Sequence, residues 1–241
     1  MSNIKYSIIC CYYNEINILK KKILSFIEET KKLPFSYEVF ICDNNSNDGT
    51  IEFLKKLEKQ KIDKFRFIYN NENIGKGGSI KRCAQYSVGE FILVFDIDEY
   101  LTEDLITADS ILNKNKKIDF LVGSRTLHHK KFIYKKNYYG VKVMTMLINF
   151  LFKINISDAA GATKIFRRSV YEKFKTNTSG FDFEFDILCK FAKNGHKVAD
   201  YPIEYFPRTF SEGKKLKAFK DGSMILKSIL NNYIIWAIRI F

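Results

Sequence analysis

Five short apolar runs, each followed by a stretch of helical period, fill the first half of this chain and leave little choice of architecture. The runs are residues 6–12, 37–42, 65–69, 90–95 and 119–122. Between them, residues 16–29 repeat apolar side chains at Ile16, Leu19, Ile23, Leu24 and Ile27, and residues 50–59 do so at Ile51, Leu54 and Leu57. Segments 79–87 and 102–113 continue the alternation, Thr102 being placed to cap the latter. Strand then helix, repeated, implies an α/β fold with a parallel sheet and helices on its faces. The second half is less regular. A basic, aromatic stretch over residues 128–139 reads as a loop or lid. It is followed by a helix over 141–152, a short strand near 163–166, a helix near 183–193, strands at 197–201 and 203–206, and a long helix from Ala218.

The fourth run, Phe91-Ile92-Leu93-Val94-Phe95, stops at Asp96-Ile97-Asp98. Two acids one residue apart at the end of a buried strand lie at the carboxyl edge of a parallel sheet, where open α/β folds bind ligands. Oxygen donors of this kind suit Mg²⁺ or Mn²⁺ bridging to substrate phosphates; a solvated acidic turn is the plainer alternative. Forty basic against 27 acidic residues give a net charge of +13, which favours an anionic partner: nucleotide phosphates, a membrane surface or nucleic acid. The five cysteines, Cys10, Cys11, Cys42, Cys83 and Cys189, show no metal or redox spacing and read as reduced core residues of a cytosolic protein. No secretory signal is legible, and no run reaches the roughly 18 apolar residues that span a bilayer. Residues 143–152 and 234–241 are short, apolar and flanked by basic residues, which suits a helix lying in a membrane interface.

The loops after the first and second runs open on the same edge as Asp96 and Asp98. They are Cys11-Tyr12-Tyr13-Asn14-Glu15 and Asp43-Asn44-Asn45-Ser46-Asn47-Asp48-Gly49-Thr50. A ring that stacks on a base and carboxylates that accept from base or ribose make a nucleoside pocket there. Asn14, Ser46 and Asp48 are equally placed to cap the helices that follow. Asn73-Ile74-Gly75-Lys76-Gly77-Gly78-Ser79 is a glycine-rich turn before a helix, suited to an anion though lacking P-loop spacing.

Taken in order, Tyr13-Asn14-Glu15, Asp43…Ser46…Asp48-Gly49-Thr50, Asn73…Gly75-Lys76-Gly77, Asp96…Asp98, Gly123-Ser124-Arg125, Asp158…Lys164-Ile165-Phe166-Arg167-Arg168, residues 183–188 and Pro202-Ile203…Arg208…Glu212-Gly213-Lys214 resemble family 2 glycosyltransferases. More narrowly they resemble the dolichyl-phosphate mannose and glucose synthases. That resemblance implies a GT-A nucleotide-diphospho-sugar fold with a Rossmann-like, mostly parallel central sheet, a divalent metal (Mg²⁺ or Mn²⁺), and transfer of a hexose with inversion. It places the nucleotide sugar against Cys11, Tyr13, Glu15, Asp43, Asn45, Lys76, Asp96 and Ile97, and the metal on Asp96 and Asp98. Arg125, Lys136, Arg208 and Lys214 match positions that bind a lipid-phosphate acceptor. Planar guanidinium forks suit phosphate oxygens. The chain departs from the family pattern at Cys11 (usually proline), Asn44 (usually an acid) and Tyr100, with Glu99 as a further oxygen donor.

The need for a base depends on the acceptor. A phosphate acceptor is already ionised near neutrality, whereas a sugar hydroxyl needs a carboxylate in reach. Asp158, Glu184 and Asp186 are the candidates; with Asp98 they complete the expected catalytic set. Glu184 and Asp186, two residues apart, would not face one another on a helix. The expected organisation is a catalytic domain over residues 1–215 and an amphipathic helix over 216–241 that associates with a membrane or with a second copy. The expected location is the cytosolic face of a membrane. A basic nucleic-acid-binding protein is the rival class, but Asp43, Asp48, Asp96 and Asp98 on one edge would repel a phosphate backbone, and no nucleic-acid partner is expected. Transfer to a sugar hydroxyl in surface polysaccharide or lipopolysaccharide assembly is the rival within enzymes.

Overall fold

The computed structural model describes residues 4–98, 101–127, 135–161, 163–206 and 218–238. Its strands are β1 (Tyr6–Tyr12), β2 (Tyr37–Asp43), β3 (Phe65–Tyr69), β4 (Phe91–Val94), β5 (Ile118–Ser124), β6 (Lys164–Arg167) and β7 (Lys197–Pro202). They form one sheet in the order β3-β2-β1-β4-β6-β5-β7. The first four are parallel, β6 runs antiparallel between β4 and β5, and β7 is parallel to β5. The helices are α1 (Ile16–Thr30), α2 (Thr50–Glu58), α3 (Gly75–Ala84), α4 (Asp104–Lys114), α5 (Lys135–Phe152), α6 (Arg168–Tyr171), α7 (Phe183–Lys193) and α8 (Ala218–Ile238).

Side chains alternate along each strand into two cores, one on each face of the sheet. Ile8, Cys10 and Tyr12 of β1 meet Leu19 and Ile23 of α1, Leu54 of α2 and Leu105 of α4. On the other face Ile9, Cys42, Val94 and Phe120 meet Ile80 of α3, Ile148 of α5, Phe191 of α7 and Ile229 of α8. Burial on both sides explains why the strands read as continuous apolar runs. It also makes α8 part of the second core, since Ile225 and Ile229 are buried there.

The expected boundaries hold at β1, β3 and α7. The short helix α6 has no counterpart among the expected elements, most other ends shift by one or two residues, and three segments differ in kind. The stretch read as a lid is helical from Lys135, the first residue of α5, and residues 128–134 lie outside the described set. The glycine-rich turn is the first turn of α3 rather than a loop before it. A Cβ on Gly77 would stand 2.4 Å from Phe183 Cβ, and one on Gly75 would stand 2.3 Å from the Ser179 carbonyl oxygen, so these glycines let α3 close onto α7 and the loop before it. The expected strand at 203–206 is absent. Pro202, which has no N–H, ends β7, and only the Ile203 N–H still reaches Ser124 O, at 3.2 Å.

Candidate active site

Parallel strands deliver the β1–α1, β2–α2 and β4–α4 connections to one edge, and side chains there tie the first two together. Asp43, fully buried at the end of β2, accepts from Ser46 N at 2.9 Å and from Ser46 Oγ at 2.5 Å. The same Oγ accepts from Asn14 N at 2.8 Å, and Asn14 Oδ1 accepts from Asn47 N at 2.9 Å. Asn14 and Asn45 both lie in the left-handed region, at φ 51° and 62°, which asparagine tolerates better than most residues. Asp48 does not cap its own helix alone. One of its oxygens accepts from Ile16 N at 3.0 Å across the gap, capping α1, while the other accepts from Thr50 N and Oγ1. Tyr13 and Glu15 flank this frame, half-buried. Cys11, the register partner of Cys42, packs on the opposite side, in the second core. Thr102 does not cap α4 either: Glu103 takes that position, and the Thr102 hydroxyl donates to Glu29 Oε2 at 2.7 Å.

Asn44 explains its own departure from an acid. Its amide nitrogen donates to Asn73 Oδ1 at 2.7 Å, and its oxygen accepts from Asn70 Nδ2 at 3.0 Å and from Ile74 N at 2.9 Å. A carboxylate could supply the acceptor but not the donor. Asn70 continues the network to Ser79 Oγ and Arg82.

Asp96 and Asp98 stand at the carboxyl end of β4, partly exposed, with Ile97 buried between them. This oxygen donor set fits a hard divalent cation that takes its other ligands from phosphate and water. Glu99 lies outside the described residues. Lys76, in the first turn of α3, places Nζ 3.0 Å from Asp96 Oδ2 and 3.0 Å from Glu184 Oε1. Glu184 Oε2 lies 2.8 Å from Lys164 Nζ. Lys164, projecting from β6 at 1% exposure, also donates to the Gly161 carbonyl. A chain of alternating charge therefore runs inward from the partly exposed Asp96 through Lys76 to the buried Glu184 and Lys164. Burial works against ionisation of Glu184, but the charges of Lys164 and Lys76 overcome it and pull the carboxyl down to about 2. Burial likewise opposes the Lys76 ammonium, and the Asp96 and Glu184 carboxylates outweigh it, holding its pKa well above the ordinary lysine value.

The other two candidate bases are also paired. Asp158, fully buried, accepts from Arg125 Nε at 2.7 Å, Arg125 Nη2 at 2.9 Å and Arg125 N at 3.2 Å. Burial would raise its pKa, but the Arg125 guanidinium holds it below the usual carboxylate value. The same guanidinium lies over the Tyr205 ring, 5.2 Å from its centroid. Asp186 points away from Glu184, as the spacing requires. It pairs with Lys190, accepts from Thr178 Oγ1 at 3.2 Å, and accepts from Asn232 Nδ2 of α8 at 2.7 Å. Arg208 and Lys214 lie outside the described residues, as does the side chain of Lys136 on α5. Arg167 pairs with Glu90 and Asp119, and His196, just past α7, bonds Asp119 at 2.9 Å. Sequence reasoning gave no role to Asn70 and named Lys164 only as part of a motif, without its partner.

A mostly parallel sheet, a two-acid step at its carboxyl edge and laced loops beside it define a nucleotide-sugar transferase architecture. The model of the family "Glycosyl transferase family 2" matches residues 7–175. The chain belongs to that family and is a glycosyltransferase of GT-A fold. It is 28% identical over 264 residues to the dolichyl-phosphate beta-glucosyltransferase of Dictyostelium discoideum, covering 99% of this chain and 78% of that one. The human dolichyl-phosphate beta-glucosyltransferase is 28% identical over 242 residues, with 93% and 73% covered. Among solved structures, glucosyl-3-phosphoglycerate synthase from Mycobacterium tuberculosis, in complex with Mn²⁺, UDP and phosphoglyceric acid, superposes with a TM-score of 0.65 at 13% identity. The superposition covers 95% of this chain and 78% of that one.

Proposed function

We propose that this glycosyltransferase moves a hexose from a nucleoside-diphosphate sugar to a polyprenyl phosphate, with inversion, at the cytosolic surface of a membrane. The observation that carries the acceptor class is the state of the carboxylates. Asp158, Glu184 and Asp186 are each held by a cation, and Glu184 is pulled far below the range in which it could take a proton at neutrality. A sugar hydroxyl needs such a base, whereas a phosphate monoester is already an anion and attacks without one. The dolichyl-phosphate transferases that the chain resembles use an acceptor of this kind, as their names state.

In this reading the β1–α1 and β2–α2 loops hold the nucleoside, and Lys76 lies beside the diphosphate at the first turn of α3, where an anion is favoured. Asp96 and Asp98 would hold a divalent ion, which when bound would supply neutralisation of the charge that develops on the departing nucleotide. An oxygen of the acceptor phosphate attacks the anomeric carbon from the face opposite the leaving group. The bond to the diphosphate breaks with its electron pair, and no proton moves to the protein. Two exposed apolar stripes support a membrane surface. Tyr139, Val143, Met146 and Phe150 follow one face of α5, and Leu226, Leu230, Ile234 and Ile238 follow one face of α8. No helix among the described residues is long and apolar enough to cross a membrane, so these faces suit a helix lying in the interface.

Incubation with radiolabelled UDP-glucose or GDP-mannose, Mn²⁺ and a short polyprenyl phosphate tests the assignment. Label that enters the organic phase and is released by mild acid supports it. Label that stays in water and passes only to added saccharides rejects the lipid-phosphate acceptor.

A further inference from the structure

We infer that Lys76 couples metal entry to nucleotide entry: it serves as the cation on Asp96 while the site lacks a donor, and yields that carboxylate only when a diphosphate arrives. The inference rests on the metal assignment proposed above and concerns the order in which that site fills.

The two lysines of this chain of charges are not equivalent. Lys164 is enclosed, and it is fixed from two sides by Glu184 Oε2 and the Gly161 carbonyl. Lys76 keeps 17% of its side chain exposed and faces Asp96, itself 16% exposed, at the edge where the donor must enter. Asp96, Lys76, Glu184 and Lys164 together carry no net charge. A divalent ion that comes alone meets a carboxylate already neutralised by an ammonium 3.0 Å away. To coordinate Asp96 it must stand beside that ammonium or push it toward Glu184, which Lys164 already neutralises. Either course sets cation against cation among partly buried groups, where such repulsion is screened less than at the open surface. A nucleoside diphosphate removes the conflict by bringing anionic oxygens that accept from Lys76 and coordinate the metal at once. Each ligand then strengthens the other, and by linkage the coupling is reciprocal.

Substitution of Lys76 by Met should therefore have opposite effects on the two half-reactions. Mn²⁺ without nucleotide should bind at least ten-fold more tightly than to the wild type, because Asp96 is released. UDP or GDP without metal should bind more weakly, because its counter-charge is gone. The enhancement of Mn²⁺ binding by the nucleotide should shrink at least ten-fold, while Lys76→Arg, which keeps the charge, should retain it. Electron paramagnetic resonance of free Mn²⁺, with calorimetry for the nucleotides, reads all of these in the absence of turnover. Thermal unfolding checks the fold, and Lys76→Gln, which retains a hydrogen-bond donor for Asp96, replaces the Met variant if the latter does not fold. Equal or weaker Mn²⁺ binding by a folded, charge-neutral variant overturns the inference while leaving the donor reading intact. Wild-type protein that takes up no Mn²⁺ even with UDP or GDP overturns both.

Discussion

The carboxylates of the β1–α1 and β2–α2 loops and those beyond β5 are satisfied by different chemistry. In the donor loops, Asp43 and Asp48 accept from backbone N–H groups and hydroxyls within a few residues or from the adjacent loop. Beyond β5, Asp158, Glu184 and Asp186 are met by Arg125, by Lys76 and Lys164, and by Lys190, and all but the last of these pairings join different elements. Neutral donors leave a frame that is anionic and ready for a cation. Cationic partners neutralise the carboxylates they touch. One sheet thus carries acids of two kinds, and Asp96, met by Lys76 at the edge that also carries Asp98, stands between them.

The contrast predicts unequal costs of removal. Arg125→Met keeps most of the apolar bulk and strands Asp158 as a buried, uncompensated charge. The expected loss is about 3–5 kcal/mol in urea unfolding at neutral pH, and adding Asp158→Asn should recover much of it. A loss near zero would mean that the pair is solvated and that the two halves do not differ. Glu184 sharpens the same point through pH. Its carboxyl in the folded protein is pulled down to about 2, below the unfolded value, so its contribution is complete above the ordinary carboxylate range and is lost as pH falls from about 4.5 toward 2. The amount at stake is about 3 kcal/mol. Stability measured across that window should fall more steeply for the wild type than for Glu184→Gln, and parallel curves would break the comparison.

The same division governs how much could be read from the chain. Strand runs, helical periods and the acids that end β4 are local signals. They located β1, β3 and α7 to the residue, and they placed Asp43, Asp96 and Asp98 on one edge. Long-range pairings left no such signal. Lys164 and Glu184 are 20 residues apart, and periodicity assigns a lysine to the surface unless its partner is known. The start of α3 was missed because glycine propensity argues for a turn, whereas the need to pack Gly77 against Phe183 decides otherwise. Asn44 was legible only as a departure from the acid usual in the family pattern. The fold shows an amide whose two ends are both in use, holding the third-strand loop to the second.

The smallest expected effect tests whether the donor frame depends on neutral hydrogen bonds at all. Ser46 Oγ is a two-sided bridge, donating to Asp43 and accepting from Asn14 N. Ser46→Ala removes both bonds, yet Asp43 keeps the Ser46 N–H and the Asn14 N–H lies in a half-exposed loop. The stability cost should therefore be only about 1–2 kcal/mol. The β1–α1 loop, which carries Tyr13 and Glu15, loses a tie to β2, so affinity for a nucleoside diphosphate should fall several-fold more than the stability change alone implies. Calorimetric titration of UDP or GDP into the folded variant at saturating Mn²⁺ measures that difference. Unchanged affinity would show that the loop is held sufficiently by its bonds to Asp48, Thr50 and Asn47, and that Ser46 serves the packing of β2 rather than the pocket.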